Sequence, residues 1–339
     1  MIDLRSDTVT KPSKLMLEAM MNAKVGDDVF GEDPTINELE IKAAKMFGVE
    51  ASLFCSSGTQ TNQIAIKVHT IPGDEIICDH TSHVYRFEGG GIGFNSGSSV
   101  RLIHGDRGRI TANDVLTEIN PNDSHFPQTS LVSVENTANK GGGSCYDFTE
   151  LVKIKKACDE KGLKFHMDGA RLFNALVKTG ETPIQHGKLF DSISICLSKG
   201  LGAPVGSLLL GSKEFIKKAH RIRKIMGGGM RQAGFLAAAG IYALDHNVNR
   251  LAEDHQKAKS LETTLSGLSY IENVMPVETN IIIFKLPKEI SNADFLKKFS
   301  SNNILATGFG PQLIRFVTHL DFTDDMLTIT EDVLKRKMF

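Results

Sequence analysis

The sequence predicts an α/β protein in which a large, mainly parallel sheet of seven strands covered by helices is followed by a small C-terminal α+β domain. Three features lead there. Apolar runs of strand length alternate with amphipathic segments through residue 210, the pattern of parallel strands joined by helices. The last two of these runs are separated by only a short Gly/Pro-containing loop, too short for a parallel crossover. Past residue 245 the order changes to a long helical pattern followed by further strand runs. The division expected is residues 1–245, with an N-terminal arm, and 246–339.

Taken along the chain, Asp33-Pro34 opens a helix that places Ile36, Leu39, Ala43 and Phe47 on one face, and Gly48 closes it. Strand runs follow at 51–55, 75–78, 100–103, 131–134, 164–167 and 193–197, and the run 207–210 is expected to lie antiparallel to its predecessor. Helical patterns at 231–244 and 248–268 lead into strand runs 281–284 and 313–317, the second flanked by helices. Glycine stretches at 89–93, 141–143 and 227–229 read as loops, and no internal repeat appears.

The bulk properties restrict function. With 39 basic and 40 acidic residues the net charge is -1, which gives no field to draw nucleic acid or an anionic membrane, so a small-molecule partner is expected. No run approaches ~18 uninterrupted apolar residues, and Met1 is followed closely by acids rather than by a signal-length apolar stretch. The five cysteines, Cys55, Cys78, Cys145, Cys158 and Cys196, lack zinc-ligand spacing and read as reduced thiols of a cytoplasmic protein. No metal site is expected. His80 and His83 form H-x-x-H without a nearby third ligand.

The residues that carry chemistry fall at strand ends. Lys199 follows the run 193–197 and precedes Gly-Leu-Gly-Ala-Pro; Asp168 ends the run 164–167, with Arg171 three positions on. Ser57-Gly58-Thr59 follows 51–55 and opens a helix, and His83 follows 75–78. Alone, each has an ordinary reading: a solvated lysine, a helix N-cap, a turn, a structural histidine. Together they belong to one carboxyl edge of an open sheet, where such sheets bind ligands. Arg315, in Leu-Ile-Arg-Phe-Val-Thr-His, reads either as a carboxylate-binding fork or as a surface ion-pair partner, and Arg231 either as a phosphate ligand or as an exposed helix-start cation.

This set matches the separable demands of pyridoxal 5'-phosphate: a lysine to bond its aldehyde, an acid on the pyridine nitrogen, a phosphate cradle, a group against the ring face and a cation for the substrate carboxylate. A dinucleotide site is excluded, because Gly89-Gly90-Gly91-Ile92-Gly93 does not complete G-x-G-x-x-G and follows no strand.

Over nearly its whole length the chain resembles the threonine aldolases, fold-type I pyridoxal-phosphate enzymes. The resemblance rests on Asp3-Leu4-Arg5-Ser6-Asp7-Thr8, Gly26-Asp27-Asp28-Val29, Ser57-Gly58-Thr59, His83, His166-Met167-Asp168-Gly169-Ala170-Arg171, Ser198-Lys199-Gly200-Leu201, Gly227 to Gly234 and Arg315-Phe316-Val317-Thr318-His319. It implies Lys199 as the cofactor lysine, Asp168 on the pyridine nitrogen, Arg171 on the phenolic oxygen, Ser57, Gly58 and Thr59 at the phosphate, and His83 against the ring. It further implies Ser6, Arg171 and Arg315 on the substrate carboxylate, Arg231 reaching the phosphate of a neighbouring subunit, and His125 near the substrate hydroxyl. A homotetramer built from dimers follows from it too, with sites at the dimer interface. Two positions depart from the family pattern: Ala138 replaces a usual histidine and Phe30 a frequent tyrosine. The reaction implied is retro-aldol cleavage of L-threonine or L-allo-threonine to glycine and acetaldehyde, a carbon–carbon lyase activity. The rivals are β-elimination or transamination on the same cofactor, and a non-catalytic cofactor-binding module.

Overall fold

In the computed structural model, which describes residues 1–336, seven strands form the main sheet: β1 (Ala51–Cys55), β2 (Glu75–Asp79), β3 (Ser99–Ile103), β4 (Thr129–Glu135), β5 (Lys164–Gly169), β6 (Ser192–Cys196) and β7 (Ser207–Gly211). Their spatial order is β1-β7-β6-β5-β4-β2-β3. Every neighbouring pair is parallel except β1 with β7 and β7 with β6. The short loop expected to force an antiparallel return therefore does so, and β7 alone among these strands runs against the rest.

Period-two alternation assigns the strands' two faces. Leu53, Cys55 and Leu209 pack beneath helices Gly58–His69 and Lys213–Ile225, with Ile64, Phe215 and Ala219. Phe54, Leu208 and Leu210 face the opposite side, against Leu39 and Phe47 of helix Pro34–Phe47. Asp33 caps that helix through the Thr35 and Ile36 amides, Pro34 occupies its first turn, and Gly48 ends it at φ 64°. All five cysteines are buried free thiols.

A second sheet, of order β10-β11-β9-β8, is antiparallel and comprises β8 (Asn273–Val274), β9 (Ile281–Lys285), β10 (Thr307–Gly310) and β11 (Leu313–Val317). Its core is rich in phenylalanine: Phe284, Phe295, Phe299 and Phe316 pack together. The N-terminal arm joins this core. Ile2–Asp3 pairs in parallel with Ile304–Leu305, and the Val317 amide donates to the Leu4 carbonyl at 2.9 Å. The arm therefore crosses the front of the main sheet from an anchor on the second one. Among the described residues no helix is long and apolar enough to cross a membrane.

Helix Pro34–Phe47 also holds a buried acid. The Glu40 carboxylate accepts from the Phe54 amide at 2.7 Å, and burial pushes its pKa up from 4.5 to about 7. The folded chain thus holds this proton over a pH range in which the unfolded chain has lost it. Stability contributed by the protonated group is present below the unfolded value and declines as pH rises from about 4.5 through about 7. In urea titrations, Glu40→Gln is expected to flatten this decline, which for one such group is at most ~1.4 kcal/mol per pH unit.

Candidate active site

The register of the parallel strands brings polar residues to one edge. Glu135 at the end of β4 pairs with Asp168 near the end of β5, which pairs with Ser194 of β6. Lys199 lies just past the end of β6. It sits in a turn closed by the Gly202 amide donating to its carbonyl at 2.8 Å, and Gly202 adopts φ 78°, a conformation that favours glycine. A Cβ on Gly200 would lie 2.8 Å from Leu251 Cδ2, so the small residues around Lys199 are required by close packing. From the arm, Thr10 Oγ1 donates to the same Lys199 carbonyl at 3.0 Å.

Asp168 is buried, with one oxygen accepting from the Ala170 amide at 3.1 Å and the other from Asn62 Nδ2 at 3.0 Å. Asn62 also donates to Glu88 Oε1 at 2.9 Å, and Gln63 donates to Glu88 Oε2 at 2.6 Å. Glu88, fully enclosed, accepts a bond from His83 Nδ1 at 2.9 Å. His83 begins a short helical turn, and its amide donates to Glu135 Oε2 at 2.9 Å. One ligating atom each of His83, Glu88 and Asp168 lies within 4.8 Å of the others. Burial opposes the His83 charge, but Glu88, Asp168 and Glu135 prevail and raise its pKa. Burial and the neighbouring Asp168 charge hold the Glu135 carboxyl above its ordinary range.

Arg171 is buried and paired bidentately with Asp7 of the arm, Nε to Oδ2 at 2.7 Å and Nη2 to Oδ1 at 2.6 Å. Burial pushes Asp7 up, yet the Arg171 guanidinium and the Lys199 amine overcome it and hold the carboxyl at about 2. Arg315 stands nearby on β11. Its Nη1 donates to Asn139 Oδ1 and its Nη2 to the Arg5 carbonyl, both at 2.8 Å, while its buried Nε has no partner. Burial and the positive charge of Arg171 press its pKa down to about 10. Ser6, next to that Arg5 carbonyl, accepts from the Thr8 amide and hydroxyl. Two arginines, one with an unsatisfied N–H, form an environment that favours an incoming carboxylate.

Ser57 caps helix Gly58–His69 by accepting from the Gln60 amide at 3.2 Å, leaving the Gly58 and Thr59 amides without acceptors among the described residues. A Cβ on Gly58 would meet Cys196 Sγ at 2.6 Å, so glycine lets the helix start press against the end of β6. Free amides at the positive end of a twelve-residue helix suit a phosphate. The lysine, buried acid, cradle and ring-face histidine together fit pyridoxal phosphate.

Two expected residues stay outside this group in the single chain. His125 is exposed, with its ring bonded to Asp123 Oδ1 at 2.7 Å, on the loop that enters β4 at the opposite edge of the sheet. Arg231 is half exposed and bonds Asp27 Oδ2 at 2.9 Å. Of the positions that depart from the family pattern, Ala138 is buried and Phe30 is exposed on the turn beside Asp27. Asn62, Gln63 and Glu88 carry no motif that marks them for the site, and Asp7, Glu135 and Asn139 lie within motifs that assign them no task. The one available signal was polarity on the wrong face: Thr61, Asn62 and Gln63 stand in a helix whose next residues, Ile64, Ala65 and Ile66, are all core-forming.

The beta-eliminating lyase family model matches residues 3–288. The chain is 44% identical over 328 residues, 96% of each chain, to the low specificity L-threonine aldolase of Escherichia coli (strain K12). It is 41% identical to the probable low-specificity L-threonine aldolase 2 of Arabidopsis thaliana, covering 95% of this chain and 93% of that one. In fold it is similar to a Leishmania major threonine aldolase, with a TM-score of 0.88 at 22% identity over the full length of both chains. A putative L-allo-threonine aldolase from Listeria monocytogenes superposes with a TM-score of 0.83 at 22% identity, over 100% of this chain and 96% of that one. With a family match spanning most of its length and a relative 44% identical over 96% of it, the chain belongs to the beta-eliminating lyase family, among its L-threonine aldolases.

Proposed function

We propose that the protein is a pyridoxal-phosphate-dependent aldehyde-lyase that cleaves L-threonine and L-allo-threonine to glycine and acetaldehyde. The observation that carries this is the gathering of Lys199, buried Asp168, the Gly58–Thr59 amides and His83 at one sheet edge, with Arg171 and Arg315 beside them. Pyridoxal phosphate, when bound, supplies the electron sink that makes breaking a Cα–Cβ bond accessible.

The chain's residues divide the remaining work. Lys199 would hold the cofactor covalently, the Asp168 carboxylate would pair with the pyridine nitrogen and keep it protonated, and Ser57, Gly58 and Thr59 would receive the phosphate. Arg171 would reach the phenolic oxygen and, with Ser6 and Arg315, the substrate carboxylate. His83 would stack on the ring. Because its Nδ1 is engaged by Glu88, Nε2 is the nitrogen free to take the β-hydroxyl proton, directly or through water. Residues 1–245 form the cofactor-binding part and 246–339 the part that carries Arg315.

The same reading makes the protein a cytoplasmic homotetramer, a dimer of dimers with sites at the dimer interface, acting in threonine catabolism and glycine formation. Arg231 then reaches a neighbouring subunit's phosphate, and His125 lies near a substrate hydroxyl. Large apolar side chains exposed on the single chain, including Phe94 at 90%, Ile225 at 79% and Phe30 at 73%, support burial by partner copies.

Lys199→Ala is expected to lower acetaldehyde release from L-threonine by at least roughly a thousandfold in a coupled reductase assay; unchanged release contradicts the assignment. Keto acid and ammonia in place of glycine and acetaldehyde would indicate β-elimination or transamination instead. Glu88→Gln removes the carboxylate that raises the His83 pKa, so the acid limb of the kcat/KM profile should move to lower pH while the maximum falls about tenfold. An unmoved limb would separate Glu88 from proton transfer.

A further inference from the structure

One cluster of positive charge beside the site has no task in threonine cleavage. Lys140, on the loop after β4, places its amine 3.8 Å from the centroid of the Phe309 ring and 5.9 Å from that of Phe87, and donates to the Phe309 carbonyl at 2.9 Å. The Arg315 guanidinium packs on the same Phe309 ring at 4.5 Å, and Phe87 lies beside His83, ring centroids 5.7 Å apart. Lys140 therefore stands between Arg315, proposed for the substrate carboxylate, and the Phe87 ring that flanks His83, proposed for the β-hydroxyl. Its neighbour Asn139 holds this loop in place: the amide donates to Glu135 Oε1 at 2.9 Å, and the side-chain oxygen accepts from Arg315.

Arg86 ends the His83 turn and is next in the chain to Phe87, whose ring centroid lies 5.9 Å from the Lys140 amine; burial, Arg315 and Arg86 together lower the pKa of that amine. Among the described residues neither Lys140 nor Arg86 meets a carboxylate. A threonine methyl would leave this repulsion standing; an anionic substituent would relieve it through charge-assisted hydrogen bonds.

We propose that the site also accepts β-hydroxy amino acids whose β-substituent is a carboxylate, β-hydroxyaspartate being the smallest, with Lys140 and Arg86 binding the second carboxylate. The proposal rests on the retro-aldol reading above. The reaction balances without oxidant or reductant. The Cα–Cβ bond breaks and its electron pair ends in a new C–H bond at the glycine Cα. The β-hydroxyl loses its proton, and its oxygen becomes the aldehyde oxygen of glyoxylate.

The test compares kcat/KM for L-β-hydroxyaspartate, followed as glyoxylate, with that for L-threonine, followed as acetaldehyde, in the wild-type holoenzyme and in K140M, K140R and R86M. Calorimetric binding of L-aspartate and L-alanine, which lack the β-hydroxyl, gives a readout independent of turnover. Expected is cleavage of hydroxyaspartate at least as efficient as that of threonine, with the ratio of the two efficiencies falling about tenfold or more in K140M and R86M and largely kept in K140R. L-aspartate binding should weaken in K140M by a similar factor relative to L-alanine. Acetaldehyde formation without glyoxylate, or a ratio unchanged in both methionine variants, would overturn the proposal. Formation of neither product would overturn the aldolase reading itself.

Discussion

The side-chain amide of Asn62 is the interaction on which the cofactor-facing half of the site depends. Two carboxylates, Asp168 and Glu88, are buried within a few ångströms of each other, an arrangement that is costly unless donors are supplied. Asn62 Nδ2 donates to both, at 3.0 and 2.9 Å, while its oxygen bonds the buried His166 ring at 3.1 Å. Glu88 in turn orients His83. The group facing the pyridine nitrogen and the group facing the ring are thereby fixed relative to each other through one residue. That residue stands one turn inside the helix whose first amides are free to receive a phosphate. With the proposed cofactor bound, phosphate, ring nitrogen and ring face would all be registered against helix Gly58–His69.

The substrate-facing half is assembled differently. Arg171 comes from the main sheet, Arg315 from the second one, and Asp7 from an arm anchored on the second sheet. The Asp7–Arg171 pair and the Arg315–Asn139 bond thus tie the two parts of the chain together at the point where a carboxylate would bind. Lys140 and Phe309 extend this junction toward the β-substituent, which makes substrate selectivity a property of the same seam.

Much of this was legible in the sequence, for a physical reason. Strand ends in an open parallel sheet converge in space, so Lys199, Asp168, His83 and Ser57-Gly58-Thr59 could be grouped from chain order alone. The reversal at 207–210 was likewise forced by loop length. What escaped was everything whose meaning depends on a distant partner. Asn62 and Glu88 are polar residues that composition places at the surface, and only the packing of the Gly58–His69 helix turns them inward. The short pairing of Ile2–Asp3 with Ile304–Leu305 joins opposite ends of the chain and has no local signal. Lys140 gave no hint because its setting is made by Phe309 and Arg315 from the second sheet. Conversely, His125 stands out only through family resemblance, and Arg231 through its place after a glycine run as well; in the single chain their side chains turn to Asp123 and Asp27 instead.

In the proposed function one lysine, Lys199 just past the end of β6, would hold the cofactor. Borohydride reduction of the pyridoxal-phosphate-loaded protein, followed by proteolysis and mass spectrometry of the peptides, tests it most directly. Expected is the reduced-cofactor mass on the peptide containing Lys199, with stoichiometry near one per chain and no labelling there in Lys199→Ala. Stoichiometric label on a different lysine, or none on a protein that retains the cofactor's absorbance, would contradict it.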